Sequence, residues 1–424
     1  MKSKFYALAL SLGLSSSAFA QESRLAFDNS KATPGRQCAT MDVLKAQMAA
    51  DPSLAKRMAA VEDQTKKFES TSTSNRSVVG AVVIPVVVHV VYNITTQNVT
   101  DAQVAAQIDV LNKDFAKTNS DVTLVPDAFK PLAANTNIQF VLAQQDPTGA
   151  PTSGIIHKQT KIASFSSNDA VKNSKKGGSD PWPASSYLNV WVCNLSGGLL
   201  GYAQFPGGRA STDGVVVLFS SLPGVASGPY SKGRTATHEV GHWLNLRHIW
   251  GDASCGTDLV TDTPTQQTSN YGCPSFPHVT CGNNGDMSMN YMDYTDDACM
   301  YMFSTGQAAR MNALFGAGGS RASLLNSSGA RTTRQLAVAT AGGVASLAEI
   351  RLYPNPATQT LNVSVPEKQA ATWSVKVYDL SGYEMKQARY DGQGRVAVAS
   401  LPQGLYQVVM SDGQQTIRQR FQKE

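Results

Sequence analysis

After its first twenty residues this 424-residue sequence has no apolar run approaching the roughly 20 residues needed to cross a bilayer, so no membrane-spanning segment is expected in the mature chain. It also lacks a basic centre. The formal charge is +5, yet residues 77–330 carry −3, so the Lys and Arg excess lies outside the central region and nucleic acid is excluded as a partner. Between His248 and Ala309 there is no Lys, Arg or Glu at all, against seven Asp. That stretch is either a solvated acidic face or a cation-binding one. Cysteine and histidine are scarce, six of each, and both are unevenly placed. Cys255, Cys273, Cys281 and Cys299 crowd into the acidic stretch, where spacing alone permits three pairings, while Cys38 and Cys193 stand apart. Three of the histidines fall between positions 238 and 248.

The one apolar run that is present, Phe5 to Leu14, follows Lys2 and Lys4 and ends at Ala18-Phe19-Ala20. It is too short for an anchor and has the small residues a signal peptidase needs, so residues 1–20 read as a signal peptide and export is expected. Export makes disulfides permissible. Residues 21–76 read as a polar, helical to irregular propeptide, with a helix start at Asp51-Pro52. A Ser/Thr-rich linker leads to an expected cleavage at Arg76-Ser77.

Residues 77–330 form the central domain. Val82 to Tyr92 is apolar and β-branched, as a strand covered on both faces must be. Thr100-Asp101 opens an amphipathic helix to about Lys117, with Val104, Ile108, Leu111 and Phe115 on one face. Strands are expected at Ile138–Gln144, Leu188–Asn194 and Gly214–Phe219, and an edge strand for docking peptide within Gly197–Pro206. The alternation predicts an α/β upper half with a mixed sheet, above a loop-rich, cysteine-stapled lower half. Residues 331–346 read as a linker. Residues 347–424 read as a small all-β sandwich, with strands at Leu361–Val365, Trp373–Tyr378, Val396–Ala399, Leu405–Met410 and Thr416–Phe421. Turns at Ser381-Gly382 and Asp412-Gly413 separate them.

The chemistry lies in His238-Glu239-Val240-Gly241-His242. On a helix, residues four apart share a face, so both imidazoles can aim at one metal ion. Glu239 beside them can hold a water and take its proton, and zinc lowers that water's pKa to about 7. A third protein ligand is required, and His248 supplies it if the chain bends. Asn245 sits where the bend must fall, and Asn is the non-glycine residue best suited to positive φ. Surface or capping histidines are the alternative. A non-catalytic adhesin keeping a structural zinc is the alternative for the whole chain, although such a site has no use for a Glu239.

With Asn290-Tyr291-Met292-Asp293-Tyr294 downstream, HEVGHWLNLRH resembles the metzincin zinc peptidases. HIWGD, Asp262-Thr263-Pro264 and NYMDYTDDACM narrow the similarity to the pappalysin family, from about Val82 to Met311. The resemblance implies a metzincin catalytic domain and a secreted endopeptidase acting on extracellular proteins, with Glu239 as general base and acid. It further implies Met292 as the Met-turn residue beneath zinc and Tyr294 as a donor to the developing oxyanion. It also implies disulfides Cys255–Cys281 and Cys273–Cys299, and calcium at Asp258, Asp262 and Thr263. A preference for basic substrate residues fits the acidic stretch, with no pocket residue identified. The family has Gly where this chain has Asn245.

Cys38 lies in the propeptide, and a thiolate is an excellent zinc ligand. Family members carry a similar cysteine, which implies an intramolecular inhibitor that occupies the metal in the latent zymogen. The rival is a disulfide from Cys38 to Cys193. At the C-terminus, YPNP (353–356), VYDLSG (377–382) and LPQGLY (401–406) resemble the sorting domain of type IX secretion. That implies the type IX machinery as a partner, and a secreted or cell-surface protein of a Gram-negative bacterium.

Overall fold

The computed structural model describes residues 35–70, 81–330, 351–364, 374–379, 384–411 and 416–424. The expected signal peptide, the Arg76-Ser77 cleavage site, the 331–346 linker and the turns at 381–382 and 412–413 lie outside them. The chain divides into two compact units, Met1–Thr333 and Arg334–Glu424.

The first unit begins with helices α1 (Thr40–Ala50) and α2 (Ser53–Ser70). The Asp51 carboxylate accepts the Ser53 N–H at 3.1 Å, the N-cap contact expected there, and α2 runs on from Ser53. Then come β1 (Val82–Tyr92), α3 (Asp101–Phe115), β2 (Ile138–Leu142), β3 (Ile155–Gln159), β4 (Leu188–Cys193), β5 (Gly201–Ala203), β6 (Val215–Leu218), α4 (Arg234–Trp243) and α5 (Thr305–Ala313). Helix α3 starts at a capping box, Thr100 and Gln103 each satisfying the other's backbone N–H.

The sheet order is β2-β1-β4-β6-β5, and β3 continues alongside β1 where β2 ends. All pairs are parallel except β5 with β6. β1 shows why a central strand reads as unbroken apolar sequence. Val82, Ile84, Val86, Val88 and Val90 enter the main core with α3 and α4. Val87 and Val91 enter separate clusters on the other face. That other face also receives Ala39 and Val43, so helix α1 is packed on the sheet. β5 was anticipated within a longer segment, and β3 was not, because its residues are half-exposed and weakly patterned. After α4 the chain is irregular to α5, as expected. Two disulfides bridge this stretch, Cys255–Cys281 and Cys273–Cys299, each joining residues 26 apart. Cross-links of this kind substitute for core where little regular structure exists. Cys38 and Cys193 are both free, and Cys193 is a buried thiol within β4.

The second unit has β7 (Arg351–Tyr353), β8 (Thr360–Ser364), β9 (Ser374–Asp379), β10 (Arg389–Tyr390), β11 (Arg395–Ala397), β12 (Gly404–Ser411) and β13 (Thr416–Lys423). They make two antiparallel sheets, β10-β11-β8-β7 and β13-β12-β9. Alternate residues from both, Leu361 and Val363 with Tyr406, Val408 and Met410, share one core. This is a small sandwich.

Candidate active site

Helix α4 is buried along its whole length. Its first turn is held by Asp297, whose Oδ2 accepts the Lys232 and Arg234 N–H groups at 2.8 and 3.2 Å. A carboxylate there also suits the positive end of the helix dipole. Arg234 is tied to Asp114 and Asp121 at 3.1 and 2.9 Å. His238 and His242 project from one face. The helix stops at Trp243, and Asn245 adopts φ 72°, the left-handed bend expected there. Leu246 N–H then bonds the Gly241 carbonyl at 2.9 Å, and Arg310 Nε holds the Asn245 carbonyl at 2.8 Å. The Asn245 side-chain nitrogen has no partner, so its backbone conformation explains the residue. Asn245→Gly should leave thermal stability within about 0.5 kcal/mol, whereas Asn245→Val should cost about 1–2 kcal/mol, because a β-branched residue resists positive φ. Equal melting curves for the two variants would remove strain from the account.

The bend delivers His248. Its Nε2 and that of His238 each lie 3.1 Å from His242 Nε2. The outer ring nitrogens are all engaged: His238 Nδ1 with the Tyr291 carbonyl at 2.7 Å, His242 Nδ1 with the Leu246 carbonyl at 2.8 Å, and His248 Nδ1 with Asp252 Oδ1 at 2.5 Å. Three Nε2 lone pairs therefore face one point. Burial, then the neighbouring imidazoles, keep His238 and His242 well below the usual histidine range, so both are neutral donors. Tetrahedral zinc with Zn–N of about 2.0–2.1 Å places nitrogens roughly 3.3 Å apart, so the donor set fits that ion. Met292 lies beneath the helix. A Cβ at Gly241 would come within 2.4 Å of its sulfur, so only glycine permits this approach. The Tyr294 hydroxyl is 3.1 Å from His248 Nε2.

Glu239 faces the edge strand. A Cβ on Gly201 of β5 would meet its side chain at 2.8 Å. Burial pushes the Glu239 carboxyl up to about 8, against the Thr40 and Cys38 hydrogen bonds and the Arg36 charge, which lower it.

Residues 36–40 run across this centre. Cys38 bridges to Gly201 in parallel register, with Leu200 N–H on the Gln37 carbonyl and Ala39 N–H on the Gly201 carbonyl. Cys38 joins His238, His242 and His248 in the group of potential metal-ligand side chains found among the described residues, all four ligand atoms within 4.8 Å of one another. The Thr40 hydroxyl donates to Glu239 Oε2 at 2.9 Å and accepts from Ala203 N–H at 2.8 Å. Arg36 is 1% exposed. Its guanidinium reaches Asp297 Oδ1 at 2.5 Å, Thr235 Oγ1 at 3.2 Å and the Thr295 carbonyl at 3.3 Å, and lies 4.9 Å from the Tyr230 ring centre. Farther on, Glu62 of α2 forms a two-toothed ion pair with Arg310 at 2.5 and 3.0 Å. In the acidic stretch the Thr263 hydroxyl lies 2.9 and 3.0 Å from the Asp258 oxygens. Asp262 is bound instead by Ser304 and Gly306, at the start of α5.

Sequence reasoning missed Arg36, Thr40, Asp252 and Asp297. Arg36 and Thr40 flank Cys38 at two residues on either side, which was a usable signal. Nothing local distinguished Asp297 among seven aspartates.

Residues 171–316 match the peptidase family M43, described as pregnancy-associated plasma protein-A. Residues 351–424 match a secretion-system C-terminal sorting domain. Mature mirolysin of Tannerella forsythia, solved with a cleaved peptide, is 51% identical, with a TM-score of 0.57, over 58% of this chain and 96% of that one. A promirolysin mutant of the same organism is 47% identical, with a TM-score of 0.63, over 69% of this chain and 97% of that one. An extracellular metalloprotease of Arthroderma otae is 33% identical over 54% of this chain and 76% of its own length. One from Coccidioides posadasii is 35% identical over 51% and 70%. With a histidine cluster of metal-binding geometry beside a buried glutamate, and with relatives of this closeness, the chain belongs to the pappalysin family of metalloendopeptidases.

Proposed function

We propose that this chain is a secreted endopeptidase, made as a zymogen, in which His238, His242 and His248 hold zinc and Glu239 is general base and acid. The convergence of three buried Nε2 atoms beside the Glu239 carboxylate carries this reading. Zinc, when bound, supplies Lewis acidity to a water and to the scissile carbonyl. Glu239 takes the water's proton on its carboxylate and returns it to the leaving amine. The Tyr294 hydroxyl, beside His248 Nε2, donates to the developing oxyanion. Backbone groups of β5 that now bond residues 37–40 serve the substrate once that segment leaves.

Latency follows from the same contacts. Cys38 Sγ, beside the three Nε2 atoms, would hold the metal with them, while Thr40 satisfies Glu239 and Ala203 as a water and a substrate carbonyl otherwise would. The solved promirolysin relative supports manufacture as a zymogen.

A preference for basic residues would be served by Asp297. The docked Arg36 guanidinium meets the Asp297 carboxylate, and on this reading an arginine of the substrate would take its place. Asp297→Asn should cut kcat/KM on arginine peptides by roughly 10- to 100-fold, the worth of a charge-assisted hydrogen bond, while leucine peptides are spared. Equal losses on both peptides would confine Asp297 to capping α4.

Calcium at Asp258, Asp262 and Thr263 belongs to the same proposal. Asp258 and Thr263 present oxygens together, and burial raises the Asp258 carboxyl to about 6, a group that a hard cation would stabilise. Asp262 also accepts from Ser304 and Gly306 at the start of α5. The sorting domain supports export by the type IX route, hence a Gram-negative source and a secreted or surface-attached product.

A further inference from the structure

The three imidazoles are oriented by unlike partners. His238 and His242 stand on a helix and turn their outer nitrogens to backbone carbonyls, whereas His248 stands on irregular chain and meets a carboxylate. The 2.5 Å contact from His248 Nδ1 to Asp252 Oδ1 is the shortest of the three. The placement is built in. Gly251 has φ 66°, and a Cβ there would fall within 2.4–2.6 Å of the Thr257 backbone. Gly251 N–H closes a turn on the His248 carbonyl at 2.8 Å, and Asp252 follows at φ 56°. Trp250 lies flat against the same ring, 4.4 Å between centres and 7° from parallel. Residues 250–252 thus grip His248 on its face and at its outer nitrogen.

We infer that Asp252 is a positioning residue that fixes His248 and strengthens it as a ligand, so that the third ligand is held by charge where the first two are held by helix geometry. An imidazole that donates Nδ1–H to a carboxylate carries more electron density at Nε2 than one donating to a peptide carbonyl. The need is greatest after activation. Cys38 then takes its negative charge away, and Asp252 remains as the carboxylate bonded to a ligand ring.

This rests on the zinc reading, and chelator competition on the purified, activated enzyme separates the two. If the wild type binds no zinc, the zinc reading itself fails. With wild-type binding established, Asp252→Asn is expected to weaken zinc affinity about 10- to 100-fold and to shift the visible bands of the cobalt-substituted protein. Asp252→Glu, which keeps the charge one methylene away, is expected to fall between. Zinc affinity and cobalt spectra unchanged in both variants overturn the inference. So does an equal loss in both, since charge would then have no part in it.

Discussion

Glu239→Gln is expected to lower kcat/KM on a fluorogenic peptide by at least about 10³-fold, near the upper range for removing a general acid–base group. The substitution suits the geometry. Glutamine keeps the size that packs on Gly201 and can still accept from Thr40, so the cleft keeps its shape. Zinc content should remain that of the wild type, because the carboxylate is not among the converging donors. What is lost is a group that can take a proton and return it. Full metal content with activity within tenfold of wild type would remove Glu239 as the base. The same variant, held as full-length chain, should remain intact by mass spectrometry if activation is self-catalysed.

The second large effect is expected at the latch. Cys38→Ala should raise the activity of freshly purified zymogen by about 100-fold, the shift from a nearly closed population to a substantially open one. Arg36, Thr40 and Glu62 still anchor the segment in that variant, by Asp297, by Glu239 with Ala203, and by Arg310. Release should therefore be incomplete. Adding Thr40→Val strands the buried Glu239 oxygen and the Ala203 N–H without partners, a penalty that should open the cleft further. Both residues belong to the segment expected to be removed, so the mature enzymes should have identical kinetics. A Cys38→Ala zymogen as silent as the wild type would sink the thiolate latch. Additive silence in the double variant would show that the helices alone cover the cleft.

Much of this was legible in one dimension, and particular residues show why. β1 could be bounded correctly because a central strand covered on both faces has one sequence signature, an unbroken β-branched run. That His238 and His242 share one helix face needed only helical periodicity. Asn245 could be placed at positive φ because few residues tolerate that conformation. β3 escaped because half-exposed edge residues carry no strong pattern. The contacts of Asp262 with Ser304 and Gly306, more than forty residues on at the start of α5, were likewise invisible in the sequence.

The sequence by itself therefore determined the three-histidine cluster, the glutamate beside it and the order of the two matched regions, and it singled out Cys38, which the fold brings beside the histidines. These are matters of residue type and short spacing, where bond geometry within one helix or turn leaves little choice. Only the tertiary structure decided which of the seven aspartates receives Arg36 and what Thr40 blocks. Those contacts span up to 261 positions, as Arg36 to Asp297 does. A buried charge takes whichever partner the whole fold brings within reach, and no local pattern encodes that partner.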